Sequence, residues 1–154
     1  MELRTATPED APAVAAIWFA GWRDGHLGNV PDELVAVRTE ASFHERAPQR
    51  TADTTVAMVD GEVAGFTMVH DDEVEQVYVH ADHRGTPVAA ALLGAAEQRL
   101  AAEGHEVVWL AVVAGNARAR RFYERQGWVD AGPFEHRPPG GVVVPALRYE
   151  KRLR

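Results

Sequence analysis

Two stretches of this 154-residue chain hold residues whose types and spacing can do chemistry. The first is Val77-Tyr78-Val79-His80-Ala81-Asp82-His83-Arg84-Gly85-Thr86-Pro87-Val88-Ala89-Ala90. An apolar, β-branched run gives way to a basic turn and then to a helix-forming segment. The first amides of a helix have no internal acceptors, and the helix dipole adds about half a positive charge beside them. Such a turn is an anion site, and a phosphate or diphosphate is its natural guest. Arg84 adds a full charge, Gly85 lets backbone approach the anion, and small Ala89 and Ala90 leave room. The second stretch runs from Asn116 to Trp128. Asn116 suits a helix N-cap, and Tyr123 stands near the end of the helix that follows. From there a phenol can reach the carboxyl edge of a sheet, where α/β folds bind ligands. Phe122 reads as core, and Arg121 and Arg125 as solvated.

These stretches need a scaffold. Glu2 to Ala6 alternates weakly, as a short strand does. Thr7 offers an N-cap before Pro8, and the helix that follows carries Val14, Ile17, Trp18 and Trp22 on one stripe. Asp32 to about Glu45 reads as a second helix and Pro48 to Thr51 as a connection. Thr54 to Val59, a tight Asp60-Gly61 turn, Val63 to Val69, an Asp71-Asp72 turn and Glu73 to Val79 make an antiparallel meander. Strict alternation puts Val74, Gln76 and Tyr78 on one face of its last strand, and Glu73, Glu75, Val77 and Val79 on the other. Val88, Leu92, Ala96 and Leu100 recur every four residues, giving a helix of about 16 residues closed by Gly104. Val107 to Val113 is apolar enough for a central strand covered on both faces. A strand–helix–strand passage of this kind favours a parallel pair. A helix from Asn116 to Gln126 follows, then strands at Trp128 to Phe134 and Val142 to Tyr149, joined through Arg137-Pro138-Pro139-Gly140-Gly141.

Composition bounds the rest. Sixteen Lys+Arg against 23 Asp+Glu give a net charge of -7, which disfavours nucleic acid and anionic membrane surfaces as partners. With no cysteine, neither a disulfide nor a catalytic thiol nor a thioester-linked enzyme is possible. No apolar run approaches a membrane span, and the first residues lack a signal-peptide core, so a cytoplasmic protein is expected. The absence of repeats or composition breaks reads as a single domain over residues 1–154. His80-Ala81-Asp82-His83 offers two imidazoles without a third ligand, so no metal is expected. A P-loop is excluded, because no Gly-Lys-Ser/Thr run follows a strand.

The two stretches together resemble the GNAT superfamily of N-acetyltransferases. The family's acyl-CoA motif, Arg/Gln-x-x-Gly-x-Gly/Ala after a strand, is similar to Arg84-Gly85-Thr86-Pro87-Val88-Ala89. Its later motif, Asn-x-x-Ala-x-x-Phe-Tyr-x-x-x-Gly-Phe/Trp, is matched by Asn116, Ala119, Phe122, Tyr123, Gly127 and Trp128. The resemblance implies a mixed, mostly antiparallel α/β sheet of six or seven strands with about four helices, and acetyl-CoA as co-substrate. It implies that the backbone of Val77, Tyr78 and Val79 pairs with the pantetheine arm. Arg84, Gly85, Thr86, Pro87, Val88, Ala89 and Ala90 would hold the pyrophosphate, Asn116 would hydrogen-bond the pantetheine, and Tyr123 would protonate the leaving thiolate. Pro87 departs from the motif's glycine and lacks an N–H, which predicts weakened CoA binding.

For the base that deprotonates the attacking amine, Glu75 is the first choice, with Glu73 and then His70 behind it. The acceptor falls to the first two helices, where Trp18, Trp22, His26 and Leu34 would line a pocket beside Glu75. The acidic cluster Asp71, Asp72, Glu73 and Glu75, if it borders the acceptor cleft, favours a small amine, an amino acid derivative or an amine-bearing antibiotic over a carboxylate-rich acceptor. Two other readings stay open: a CoA-binding regulatory domain with little turnover, and an acetyltransferase acting on a protein lysine or N-terminus. A homodimer through the late strands Val142 to Tyr149 is also open.

Overall fold

Asp60 and Gly61 both have positive φ, 51° and 78°, so the chain turns back in two residues between strands β2 (Thr54–Val59) and β3 (Glu62–His70). Asp71, with φ 50°, does the same between β3 and β4 (Glu73–Val79). With β1 (Glu2–Thr5) added antiparallel to β2, one half of the sheet is a meander. The other half holds β5 (Val107–Val112), β6 (Val129–His136) and β7 (Val144–Arg152). Together they form one seven-stranded sheet in the order β1-β2-β3-β4-β5-β7-β6. Only β4 and β5 are parallel. The computed structural model describes residues 1–137 and 142–153. Of the connection expected before β7, residues 138–141 lie outside the described residues.

Helices cover both faces. The first, α1 (Ala11–His26), enters through a 3-10 turn, Pro8–Asp10. There the Asp10 carboxylate accepts the Thr7 N–H at 2.7 Å and two Arg4 N–H groups at 2.7 and 3.1 Å. The helix expected from Asp32 to Glu45 is two helices, α2 (Asp32–Val37) and α3 (Glu40–Arg46). Thr39 breaks it, because its hydroxyl accepts the Ser42 N–H at 3.2 Å and caps a new helix. The segment read as a plain connection is a second 3-10 helix, Ala47–Asp53. These elements pack Trp18, Trp22, Leu34 and Phe43 onto Val56, Phe66 and Met68. Trp18 stands edge-on to Phe43 and Phe66, at 5.2 and 5.9 Å between centroids. Burying one such ring is worth roughly 4–6 kcal/mol of transfer free energy.

On the opposite face α4 (Val88–Ala102) packs Leu93, Ala96 and Leu100 on Val69, Val74, Val108 and Leu110. Then α5 (Ala117–Arg125) is tied down by its flanks. Trp128 donates to Glu97 at 3.2 Å, and Tyr149 donates to Glu124 at 2.6 Å. β5 is less enclosed than its apolar run suggests. Val108, Leu110 and Val112 are buried, whereas Trp109 and Ala111 are half-exposed on the face of α1. Strand β7 lies between β5, paired to it over Leu147–Arg152, and β6, paired over Val144–Glu150, so β6 is the sheet edge on this side. Of the late strands, the edge open on this side of the sheet is thus β6 and not β7.

Register shifts fall in three strand pairs, and the one between β3 and β4 is at a place that matters. Met68 pairs with Gln76 and Val69 with Val74, leaving Glu75 as an extra residue in β4. This bulge reverses the phase. Val74 enters the α4 core, while Gln76 and Tyr78 face α1. Glu73 and Glu75 thereby share a cavity wall with Gln76 and Tyr78, not a face with Val77 and Val79.

Candidate active site

β4 and β5 are in register at one pair only, Glu73 with Trp109. Beyond it the strands splay, and two cavities meet in the gap. One, of about 510 Å³, lies toward α4 and α5; the other, of about 260 Å³, lies toward α1, α2 and α3. Val77, Tyr78, Asn116, Ala119 and Tyr123 line both.

The larger cavity is built around the turn into α4. His83, Arg84, Gly85, Thr86, Ala89 and Ala90 line it, with Val77, Tyr78 and Val79 along one side. Gly85 has φ 77°, and a Cβ there would meet nothing within 4 Å. The backbone conformation, and not crowding, calls for glycine. Thr86 donates its hydroxyl to the His83 carbonyl at 2.5 Å. The Ala91 N–H closes the first helical bond, to Pro87, at 3.0 Å, so the amides of Ala89 and Ala90 precede the helical ladder at the cavity wall. Pro87 and Val88 stand back from that wall, and the Val88 side chain is buried beside Ala57, Ala64 and Leu92. Arg84 is ion-paired with Asp24 on α1, so an anion at this turn competes with that carboxylate. Arg118 and Arg125 also line the cavity. Arg125, read from the sequence as solvated, is exposed, and it also lines this cavity.

Asn116 caps α5 by accepting the Ala119 N–H at 3.2 Å. Its oxygen is thus engaged, and its amide NH₂ is the group left to donate. A Cβ at Gly25 would come within 2.8 Å of that nitrogen, and one at Gly21 within 2.3 Å of the Tyr78 ring. The two glycines let α1 close on the splay. Tyr123 is half-buried, with Trp128 and Tyr149 at 6.3 Å. Burial pushes its phenol up to about 12, so it holds its proton at neutral pH. Tyr78 is shifted the same way, first by burial and then by Tyr123. Its ring packs toward Phe66 in the α1 core, leaving its backbone to the gap.

The smaller cavity brings together Trp18, Trp22, His26, Leu34, Glu73 and Glu75. His26 stacks on Trp22 at 4.7 Å and donates its Nδ1–H to the Trp22 carbonyl at 2.8 Å. Burial lowers the affinity of His26 for a second proton, and the same holds for His136 across the cavity. Glu75 is clamped by Arg50 at 2.5 Å, and Arg50 is itself fixed by the Val69 carbonyl and Asp53, each at 3.2 Å. Glu73 is different. Burial, then Glu75 and Asp72, push its carboxyl up to about 7 against the pull of Arg50 and Arg148. His70 is exposed and does not line the cavity.

The acidic cluster does not act as a unit. Asp71 is exposed beside His70, and Asp72 accepts the Trp109 indole N–H at 3.0 Å. The cavity also carries Arg38, Arg46 and Arg137, none of which the sequence reading singled out. Nothing local marks them. Arg46 follows from the break at Thr39, and the Arg50–Glu75 pair spans 25 residues.

Comparison with known proteins agrees with this geometry. Residues 15–128 match the acetyltransferase (GNAT) family. A probable N-acetyltransferase of Mycobacterium tuberculosis is 26% identical over 163 residues, covering 97% of this chain and 92% of that protein. An uncharacterized N-acetyltransferase of the same organism is 30% identical over 122 residues, covering 76% and 71%. A GCN5-related N-acetyltransferase from Rhodopseudomonas palustris superposes with TM-score 0.77 at 25% identity, covering 98% of this chain and 94% of that one. A putative acetyltransferase from Salmonella typhimurium, solved with its cofactor acetyl-CoA, has the same fold, with TM-score 0.73 at 20% identity over 100% and 94%. A glycine-containing strand-to-helix turn, a splayed parallel pair and a capped helix carrying Phe122-Tyr123 thus stand where the family match runs, and the chain belongs to the acetyltransferase (GNAT) family of acetyl-CoA-dependent N-acetyltransferases.

Proposed function

We propose that this enzyme acetylates the primary amine of a small molecule by direct attack within a ternary complex. The supporting observation is that two cavities reach the β4–β5 gap and share Tyr123 and Asn116 in their walls. Acetyl-CoA, when bound, supplies an activated acyl carbon and a thiolate leaving group. The residues of the larger cavity suit it. The Ala89 and Ala90 amides with Arg84 match a diphosphate, and the unpaired β4 backbone at Val77–Val79 matches the amides of a pantetheine arm. Tyr123 donates its phenolic proton toward the sulfur as the C–S bond breaks.

In the smaller cavity Glu73 accepts the proton lost by the attacking amine. Glu73 replaces Glu75 in this role because its carboxyl titrates near neutrality, as a base at work near pH 7 must, while Glu75 is held by Arg50. Glu75 then positions Arg50 and raises Glu73. The volume of about 260 Å³ is below the ≈ 300–1,000 Å³ of drug-sized pockets, which suits a small acceptor. Initial rates measured with acetyl-CoA and acceptor varied together test the reading. Intersecting double-reciprocal lines are expected; parallel lines would mean an acyl-enzyme and refute direct transfer.

A further inference from the structure

The walls of the acceptor cavity carry an excess of fixed positive charge. Arg38 apart, which has a partner of its own, the guanidiniums of Arg46 and Arg137 line it with two carboxylates, of Glu73 and Glu75. Glu75 is already neutralised by Arg50 at 2.5 Å. The imidazoles of His26 and His136 are held neutral by burial. Glu73 is at most partly ionised near pH 7. Arg46 lies with its guanidinium 4.5 Å from the centre of the Trp18 ring and 5.7 Å from that of Phe43. Among the described residues no carboxylate comes within ion-pair distance of it. Burial, and then Arg38 and Arg50, lower its pKa to about 10, which still leaves it a cation. A half-buried guanidinium over an indole keeps its N–H groups as a planar fork, the geometry that pairs with a carboxylate through two hydrogen bonds.

We infer that the acceptor is a zwitterion, an amine that also carries an acidic group, and that Arg46 binds that group while the amine lies toward Glu73. This rests on the acetyl-transfer reading above and narrows its acceptor. It departs from the sequence expectation that the acidic cluster discourages an acidic acceptor, and keeps the amino acid derivative named there. A polycation entering this cavity meets the Arg46 guanidinium, with which it cannot pair, and a carboxylate on the acceptor supplies the partner Arg46 lacks among the described residues. The selectivity is one of sign, and like charge brought close in a partly desolvated cavity is penalised strongly.

The test is thiol release from acetyl-CoA with matched acceptors: a set of α- and ω-amino acids, the same compounds as carboxamides, and the corresponding decarboxylated amines. At least one amino acid is expected to exceed its own amide by tenfold or more in kcat/KM. Arg46→Gln should raise KM for that acid by about ten- to a hundredfold, with much less effect on the amide and with the Kd of CoA unchanged, which also shows that the variant folds. Arg46→Lys, keeping the charge and losing the fork, should fall between. Turnover confined to acceptors without an acid group overturns the inference and leaves acetyl transfer standing. An Arg46→Gln variant that affects acid and amide equally also overturns it. Thiol release with none of the acceptors refutes both this inference and the reading beneath it.

Discussion

If Glu73 accepts the proton, replacing Glu73 and replacing Glu75 must leave different signatures. A carboxyl at about 7 is roughly a tenth ionised one unit below and nine-tenths ionised one unit above, so kcat/KM should rise about tenfold per pH unit below ~6 and level off above ~8. Glu73→Gln should erase that limb and lower kcat by about 10²–10⁴, the usual worth of a placed base. Glu75→Gln acts on the same limb from outside. Glu75 is the largest charge pushing Glu73 upward, and it also occupies Arg50, which pulls downward. Its removal therefore moves the limb to lower pH and keeps the plateau within about tenfold, because the reacting atoms lose no direct partner. The assay is initial-rate thiol release at saturating acetyl-CoA and constant ionic strength between pH 5.5 and 9. Two acceptors of different amine pKa separate the enzyme's limb from the substrate's. Loss of activity in Glu75→Gln, with the limb intact in Glu73→Gln, would refute the reasoning and return the role to Glu75. The effect on stability has the opposite sign: the folded chain holds the Glu73 proton more tightly than the unfolded chain does, so stability falls as pH rises from ~4.5 through about 7.

Asp10, held down at about 2 chiefly by its hydrogen bonds to Arg4, contributes stability that is present above pH ~4 and lost as pH falls toward 2. Asp10→Asn should cost about 1–2 kcal/mol at pH 7 and little at pH 2, as read from urea midpoints at the two values. Pro87→Gly tests the donor deficit expected from the sequence. Because Pro87 stands back from the cavity wall, the added amide should leave the Kd of acetyl-CoA by calorimetry within about twofold. Tightening by about tenfold or more, the ~1.5–3 kcal/mol of a charge-assisted bond, would show that the missing N–H does limit binding. Gly65→Ala sets a Cβ 2.8 Å from the Tyr78 carbonyl oxygen and 2.9 Å from Leu92, between β4 and α4. It should destabilise by about 1–3 kcal/mol in urea unfolding, and no loss would mean that α4 yields there.

What was legible in the sequence was local. The Asp60-Gly61 turn, the four-residue spacing of Val88, Leu92, Ala96 and Leu100, and the Asn116 cap each depend on residues a few positions apart, and each has its structural counterpart. What was not legible depends on offsets or on distance. One extra residue at Glu75 reverses the faces of β4, and no side-chain preference announces it. A single hydroxyl, Thr39, splits an otherwise continuous helical stripe and carries Arg46 to the cavity. The partners of Glu75 and Arg84 lie 25 and 60 residues away, so the sequence offered their charges without their pairings.

The bulge and the splay are one event in the chain. A bulge bends its strand and sharpens its twist. In β4 it falls at Glu75, two residues after the only pair that β4 makes with β5. Turned away there, β4 cannot extend the parallel ladder, and its polar backbone at Val77, Tyr78 and Val79 is left facing the larger cavity. Such groups need partners, and the amides of an extended pantetheine arm have the donors and acceptors to complete the sheet from outside. The same residue turns Gln76 and Tyr78 toward the acceptor side, where Glu73 already stands. Strict alternation through Glu75 would have left Gln76 and Tyr78 in the phase of Val74, beneath α4, and the ladder to β5 free to continue. A one-residue departure from the strand repeat thus opens the larger cavity and orders the wall of the smaller one together.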